Sequence, residues 1–197
     1  MSARAVHLLV FEGFADWEAA YAIAELRRSG GHDVRTVGFS PGTVRSMGNV
    51  AVQPDTELAE LHPADTRLMI LPGGDMWEDA AAYPASELSR RLRELADLGT
   101  PVAAICGATL AVARAGLLDD RRHTSNGRDY LAQHVPGYAS ASLYADALAV
   151  RDRGVTTASG VGPVEFAREI FEELGVFSEG DREVWYRLFK YGEMPPA

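Results

Sequence analysis

The sequence is short of cysteine: Cys106 is the only one in 197 residues. A single thiol excludes an intramolecular disulfide and any cysteine-rich zinc site. Four histidines are scattered without the spacing of metal ligands, namely His7, His32, His62 and His134. The turn at 159–162 lacks the full glycine spacing of a dinucleotide-binding loop and is interpreted as a helix-entry turn. We therefore expect no metal and no cofactor.

Long apolar runs and clusters of basic residues are also missing. No apolar run approaches about 18 residues, the length that a membrane span needs, and the N-terminus lacks the apolar core of a secretion signal. Basic residues occur at most in pairs such as Arg27-Arg28, and 19 basic against 28 acidic residues give a net charge of −9. Nucleic acids and anionic membranes are thus poor partners. We expect a soluble, cytoplasmic protein with a small-molecule substrate.

What the chain does contain is typical of one α/β domain spanning residues 1–197. The composition is 47% apolar and 24% charged, as in ordinary globular proteins. Strands are predicted at 6–11, 34–39, 67–71, 102–105, 121–126, 147–150 and 155–158, with a small β-element within 44–52. Helices are predicted at 16–28, 85–98, 107–116, 164–174 and 181–190, before a frayed end at 194–197. This alternation predicts a doubly wound, mostly parallel sheet flanked by helices.

Two helices carry more specific expectations. Asp16 is a plausible N-cap of the first helix. The helix at 85–98 is amphipathic, and one apolar face is predicted to contain Leu88, Leu92, Leu95 and Leu98.

Cys106 stands where the buried strand of Pro101-Val-Ala-Ala-Ile-Cys106 changes into an Ala/Leu-rich helical pattern that stops at Gly116. A side chain on such a sharp turn points towards the N-terminus of the next helix, where free N–H groups and the helix dipole favour a thiolate. We expect a reactive cysteine with a lowered pKa. The alternative is a small buried hydrophobe, because free cysteine is among the most buried residue types.

Several polar or glycine-rich segments follow predicted strands. Residues 12–18 follow the first strand, Gly73-Gly74 follow the strand at 67–71, Cys106 follows the strand at 102–105, and Asn126 ends the next one. Because binding sites of parallel sheets lie beyond the carboxyl ends of the strands, these residues are expected to converge.

Four ordered motifs resemble the ThiJ/PfpI family of the class I glutamine amidotransferase-like superfamily. They are Leu71-Pro-Gly-Gly-Asp75, Ala103-Ala-Ile-Cys106-Gly-Ala108, Gly116-Leu-Leu-Asp-Asp-Arg-Arg-His-Thr-Ser-Asn126 and Ser159-Gly-Val-Gly-Pro163. The resemblance extends from residue 6 to about 175. It implies a flavodoxin-like, glutamine amidotransferase-like sandwich and, since family members are often homodimers, a homodimer. It does not fix the reaction, because the family includes peptidase-like, deglycase, glyoxalase-like, hydratase and redox proteins.

The resemblance also implies a site. Cys106 matches the family's nucleophile, Glu18 matches the acid that faces the thiol, and the backbone N–H groups of Gly74 and Gly107 match an oxyanion pocket. A carboxyl pressed against a thiolate tends to stay protonated and to donate a hydrogen bond. Backbone donors stabilise the charge that develops when a nucleophile adds to a carbonyl.

The sequence departs from the family where a histidine is expected. The residue after the nucleophile is Gly107 rather than the histidine of peptidase-like members, and Asn126 stands where deglycase-like members have one. His123 lies three residues earlier, on the opposite face of a strand. A Cys–His pair is therefore not visible, which makes proteolysis a poor hypothesis. Asn126 would instead orient a substrate or water.

Four further residues are candidates for lining the pocket. Asp75 follows the glycine pair, and Trp17 precedes Glu18. Trp17, Trp77 and Tyr130 fit either the pocket mouth or core and interface packing.

Three hypotheses follow. The first is an enzyme in which Cys106 adds to a small electrophilic, carbonyl-type carbon with Glu18 handling the proton. The second is a redox or electrophile sensor without turnover, since reactive thiols oxidise readily. The third is a binding domain with an idle pocket.

Overall fold

A seven-stranded sheet lies at the centre of the computed structural model, which describes residues 4–194. Between these residues the strands are β1 (Ala5–Val10), β2 (Val34–Gly38), β3 (Val44–Arg45), β4 (Ala51–Val52), β5 (Thr56–Glu57), β6 (Thr66–Leu71), β7 (Val102–Ile105), β8 (Ala149–Asp152) and β9 (Val155–Ala158). The sheet order is β5-β2-β1-β6-β7-β9-β8, and only the β8–β9 pair is antiparallel. The mostly parallel sheet is thus confirmed, and β3 and β4 form a separate antiparallel ribbon at the predicted β-element.

Helices pack against this sheet in two groups. They are α1 (Asp16–Arg28), α2 (Ala85–Asp97), α3 (Ala108–Arg114), α4 (Arg128–His134), α5 (Pro163–Leu174) and α6 (Glu179–Tyr191). Helix α5 contacts α1, α6 and β7, whereas α3 contacts α2, α4 and β7. The central strand β7 is therefore packed by helices of both groups, as the doubly wound fold requires. No helix within residues 4–194 is long and apolar enough to cross a bilayer.

Local sequence explains where several helices begin and end. Helix α1 has acidic residues in its first turn and Arg27 and Arg28 in its last, which complements the helix dipole. Helix α5 starts at Pro163 and stops before Gly175, whose φ of 67° is left-handed. Helix α6 is capped by Ser178, whose side chain accepts the Asp181 N–H.

The segment predicted as a strand at 121–126 is not one. It makes a single backbone bridge, between His123 and Tyr144. Beyond this bridge the segment is held by side chains: the Thr124 N–H donates to Thr157 Oγ1, and the Ser125 hydroxyl bonds to Thr109. The chain is extended there, but it lacks the neighbouring strand that a ladder needs.

Two smaller predictions about the helices are also wrong. Ala15 rather than Asp16 is the N-cap of α1; Asp16 is the first helical residue, and its carboxylate accepts the Ser46 hydroxyl at 2.5 Å. Leu98 is 59% exposed. Helix α2 ends at Asp97, so Leu98 does not continue the buried face formed by Leu88, Leu92 and Leu95. Of the predicted frayed end at 194–197, residues 195–197 lie outside the described residues.

Candidate active site

Cys106 occupies a strained turn between β7 and α3. Its φ is 60°, a left-handed value that is uncommon for a residue other than glycine. Its N–H donates to the carbonyl of Ala158 at the end of β9 (2.9 Å), so the turn is tied to the neighbouring strand. The side chain is partly buried. The predicted elbow is present, and the thiol is not enclosed as a core side chain would be.

Glu18 is the buried carboxyl that faces this thiol. It is the third residue of α1 and is only 2% exposed. Its Oε2 accepts the Gly73 N–H at 2.5 Å, and a Cβ on Gly73 would touch both the Glu18 carboxyl and the Cys106 side chain. Strands β1 and β6 are parallel neighbours, so α1 after β1 and the glycines after β6 meet at one edge of the sheet.

Two glycines enclose the Cys106–Glu18 pair. A Cβ on Gly73 would lie 2.6 Å from Glu18 Oε2 and 2.8 Å from Cys106 Cβ. A Cβ on Gly160 would lie 2.9 Å from Cys106 Sγ and 3.3 Å from Glu18 Oε1. Both distances to the Cys106 side chain are shorter than packed side chains allow, so the site requires glycine at both positions.

Asn126 supplies an amide donor to the sulfur. Its Nδ2 lies 3.3 Å from Cys106 Sγ, and its Oδ1 accepts the Gly160 N–H at 3.0 Å. The Gly160 contact fixes which end of the amide points to the sulfur, because a backbone N–H can only donate. Asn126 is thus at the site, as predicted.

His123, by contrast, lies away from the sulfur. Its ring nitrogens bond to the Arg121 carbonyl (2.7 Å) and the Tyr138 hydroxyl (2.6 Å). It therefore does not take the place of the missing histidine.

The two acidic groups of the site titrate as a pair. Burial raises the pKa of the Glu18 carboxyl, while hydrogen bonds from Gly73 and Cys106 oppose this. Burial also raises the pKa of the Cys106 thiol, and the charge of Glu18 adds to that effect, while hydrogen bonds from Asn126 and the Gly107 N–H oppose it. The thiol of Cys106 therefore keeps its proton at neutral pH.

The prediction of a lowered thiol pKa is consequently wrong. The amide donors that were expected to favour a thiolate are present, but burial and the Glu18 carboxylate outweigh them. At neutral pH the site therefore contains a protonated Cys106 thiol next to the Glu18 carboxyl, rather than a free thiolate.

The predicted oxyanion glycines lie together, with different roles. The Gly107 N–H lowers the pKa of the Cys106 thiol and so favours its charged form. The Gly74 N–H has no acceptor within residues 4–194. A Cβ on Gly107 would lie 3.1 Å from the Gly74 carbonyl oxygen, and one on Gly74 would lie 2.6 Å from the Phe11 ring. Close packing therefore requires glycine at position 74 and leaves little room for a side chain at position 107.

Asp75 and Trp17 are exposed at the surface. Trp17 is 50% exposed, because it precedes Glu18 on α1 and successive helical residues point about 100° apart. Asp75 is exposed at the start of the 3₁₀ turn Asp75–Glu78. Trp77 is fully buried, and its Nε1 donates to the Pro72 carbonyl (2.9 Å), so it is a core residue.

Two features of the site were missed or left open in the sequence. The sequence pattern assigns Gly160 only to a helix-entry turn. In the structure Gly160 follows β9, which pairs with β7, the strand that ends just before Cys106. Tyr130, which fits either the pocket mouth or core packing in the sequence, donates to Glu78 Oε1 at 3.2 Å. A cleft of about 280 Å³ opens beside Asn126, lined in part by Tyr144, Leu148 and Ser159, and gives room for a small molecule.

The sheet order and the cysteine at a strained strand–helix turn define a flavodoxin-like α/β protein with a nucleophile-elbow geometry. The family model described as the DJ-1/PfpI family matches residues 4–173. The chain therefore belongs to the DJ-1/PfpI family, also called ThiJ/PfpI.

Individual relatives agree with this assignment. The chain is 38% identical over 198 residues to YoaZ of Bacillus subtilis, named an uncharacterized protease, covering 96% of this chain and 92% of that protein. It is 29% identical over 121 residues to a deglycase of Thermococcus kodakarensis, covering 61% and 70%. The crystal structure of a ThiJ/PfpI family protein from Bacillus anthracis superposes with a TM-score of 0.87 at 36% identity, covering 98% and 93%.

Proposed function

We propose that this protein is a cysteine-dependent enzyme acting on small electrophilic carbonyl compounds, with Cys106 as nucleophile and Glu18 as proton acceptor. The observation that carries the proposal is the close approach of the buried Glu18 carboxyl to the Cys106 side chain: a Cβ on Gly160 would lie 3.3 Å from Glu18 Oε1 and 2.9 Å from Cys106 Sγ. A thiol that shares its proton with a carboxylate can lose that proton as sulfur attacks, without a stable thiolate beforehand.

The first step balances without any co-reactant. A bond forms between Cys106 Sγ and the carbonyl carbon while the C=O π bond breaks, and the thiol proton passes to Glu18. Glu18 then returns the proton to the new alkoxide oxygen, which gives a hemithioacetal when the substrate is an aldehyde. The Gly74 N–H, which has no acceptor within residues 4–194, is the backbone donor for the developing oxyanion.

Peptide cleavage is a less suitable reaction for this site. Expulsion of an amine needs a proton donor at the leaving group, and His123 is engaged by Arg121 and Tyr138. Relatives are named both proteases and deglycases, which supports chemistry of this general kind without selecting a substrate.

A redox or electrophile sensor is the second hypothesis from the sequence. Oxidation by peroxide requires the thiolate, which attacks one peroxide oxygen as the O–O bond breaks. The raised pKa of the Cys106 thiol weighs against rapid oxidation at neutral pH. Mass spectrometry after mild peroxide treatment separates the two hypotheses: rapid, complete oxidation of Cys106 without turnover of any carbonyl compound supports the sensor.

The enzyme hypothesis is tested with a panel of 2-oxoaldehydes, simple aldehydes and small amides. We expect the native protein to turn over at least one carbonyl compound about 100-fold faster than the Cys106→Ala variant, the usual contribution of a nucleophile and its base. Equal rates for the two proteins across the whole panel would contradict the proposal.

A further inference from the structure

Arg114, the last residue of α3, binds three segments that are far apart from it along the chain. Its Nη1 donates to the Trp77 carbonyl (2.6 Å) and to the Tyr83 hydroxyl (2.9 Å). Its Nη2 donates to the His134 carbonyl at the end of α4 (3.0 Å) and, over 3.4 Å, to the Glu78 carbonyl. Each Nη group has two hydrogens and two acceptors, so the guanidinium is fixed by its planar fork of donors.

Helix α3 holds the 3₁₀ turn Asp75–Glu78 at two places. At the N-cap of α3, a Cβ on Gly107 would lie 3.0 Å from Trp77 Cδ1 and 3.1 Å from the Gly74 carbonyl oxygen, so helix and turn are in close contact. At the other end of α3, Arg114 donates to two carbonyls of the turn. The turn is thus held along the whole length of α3 rather than at one point.

The proposed oxyanion donor and the nucleophile flank these two elements. Gly74 directly precedes the turn, and its N–H is the donor proposed above. Cys106 directly precedes Gly107, the N-cap of α3. An oxyanion donor is effective when it lies about 2.7–3.1 Å from the developing charge, so a small displacement of the turn relative to α3 weakens it.

We propose that Arg114 is a positioning residue for the oxyanion donor: it holds the turn Asp75–Glu78 on α3 and thereby sets the distance between the Gly74 N–H and Cys106. Arg114 acts through the turn and not on the reacting atoms. The inference deepens the proposed function and rests on it, because it takes Cys106 as the nucleophile and the Gly74 N–H as the donor. Its effect belongs to addition at a carbonyl, since alkylation of the thiol forms no oxyanion.

The test compares two rates in the full-length protein: turnover of the carbonyl panel described above, and alkylation of Cys106 by iodoacetamide. We expect Arg114→Lys to lower kcat about tenfold and Arg114→Met about 100-fold, because one ammonium replaces the fork only in part and methionine has no donor. In both variants kcat/KM is expected to fall by the same factor as kcat, the pattern of an interaction made in the transition state. The alkylation rate is expected to remain within about twofold of the native rate, because no oxyanion forms.

Arg91→Lys is the matched control. Arg91 in α2 also donates to carbonyls of a 3₁₀ turn, those of Leu58 (3.3 Å) and Ala59 (2.6 Å), but that turn follows β5 at the edge of the sheet. We expect Arg91→Lys to keep the native kcat, although it removes the same kind of contact.

Two results would overturn the inference alone. One is a native kcat in Arg114→Met. The other is a change of the alkylation rate in parallel with turnover in both Arg114 variants, which would show that Arg114 serves the fold as a whole. Equal turnover by the native protein and Cys106→Ala would instead reject the proposed function and the inference with it.

Discussion

Asn126 Nδ2 donates to Cys106 Sγ over 3.3 Å, while Asn126 Oδ1 is held by the Gly160 N–H. An amide in this position stabilises negative charge on the sulfur but cannot remove a proton. On the proposed mechanism the proton therefore moves between Cys106 and Glu18, whose side chains lie 2.9 Å and 3.3 Å from the position that a Cβ on Gly160 would take. Here the hydrogen bond to the sulfur comes from Asn126 and the proposed proton acceptor is Glu18, whereas in a Cys–His pair one histidine has both roles.

The Asn126→Asp substitution tests the amide donor. Aspartate keeps an oxygen for the Gly160 N–H but replaces the donor with a negative charge beside the thiol. We expect the rate of Cys106 alkylation at neutral pH to fall about tenfold or more, because a like charge at this distance raises an acid's pKa by one unit or more. Asn49→Asp, in an exposed loop, is the control and should leave the rate unchanged. An equal rate for Asn126→Asp and the native protein would show that the amide does not act on the sulfur.

The Glu18→Gln substitution separates thiol acidity from proton transfer. The Glu18 charge raises the pKa of the Cys106 thiol, so its removal is expected to move the alkylation midpoint to lower pH. Turnover of a carbonyl substrate is nevertheless expected to fall about 100-fold, because glutamine cannot accept the thiol proton. Faster alkylation together with slower turnover is the combination that supports the account. A midpoint that moves to higher pH would show that Glu18 acts mainly as a donor to the thiolate.

Gly160→Ala tests the close approach of β9 to the elbow. The added Cβ would lie 2.9 Å from Cys106 Sγ, so the elbow must shift, at a cost of about 1–3 kcal/mol in the free energy of unfolding. The matched control is Gly180→Ala in α6, where the nearest atom is 3.9 Å away and alanine is expected to add up to about 1 kcal/mol. Urea denaturation measures both variants. Equal stability of Gly160→Ala and the native protein would mean that the contact is looser than the structure shows.

His7 makes the stability of the fold depend on pH. This β1 residue is 5% exposed, and its Nδ1 has no hydrogen-bond partner within residues 4–194. Burial, then the charge of Arg35, lowers the pKa of His7 from 6.5, although Asp33, Asp55 and Asp65 oppose this. As the pH falls below about 6.5, the unfolded chain takes up this proton first, so stability that is present above that pH is lost.

The His7→Leu substitution isolates this effect. We expect the free energy of unfolding of the variant to fall less steeply than that of the native protein as the pH drops from neutral to mildly acidic values. The exposed His62 provides the control, and His62→Asn should retain the native slope. Parallel curves for His7→Leu and the native protein would exclude His7 as the source of the pH dependence.

The fold was largely predictable because its signals are local. The apolar strands β1, β6 and β7 and the caps and glycines around α1 and α5 identify their elements within a residue or two. The segment at 121–126 has the same extended pattern, yet it pairs through side chains such as Thr124. Whether an extended segment joins a sheet depends on its neighbour in space, and local pattern does not contain that information.

The site was predictable in its members but not in its electrostatics. Parallel strand ends bring Cys106, Glu18 and Asn126 together, as the topology requires. The pKa of the thiol depends on burial and on the distance to one carboxylate, which no motif specifies. Gly160 lies far from Cys106 along the chain, and only the folded geometry shows that it approaches the same sulfur.

The most direct test of the account is an NMR experiment with a ¹³C-labelled 2-oxoaldehyde. We expect the native protein to give the signal of a tetrahedral carbon bonded to sulfur and oxygen, or the labelled product formed from it. Both should be absent in Cys106→Ala and strongly reduced in Glu18→Gln. Identical spectra for the native protein and Cys106→Ala would contradict the claim that Cys106 adds to a carbonyl carbon.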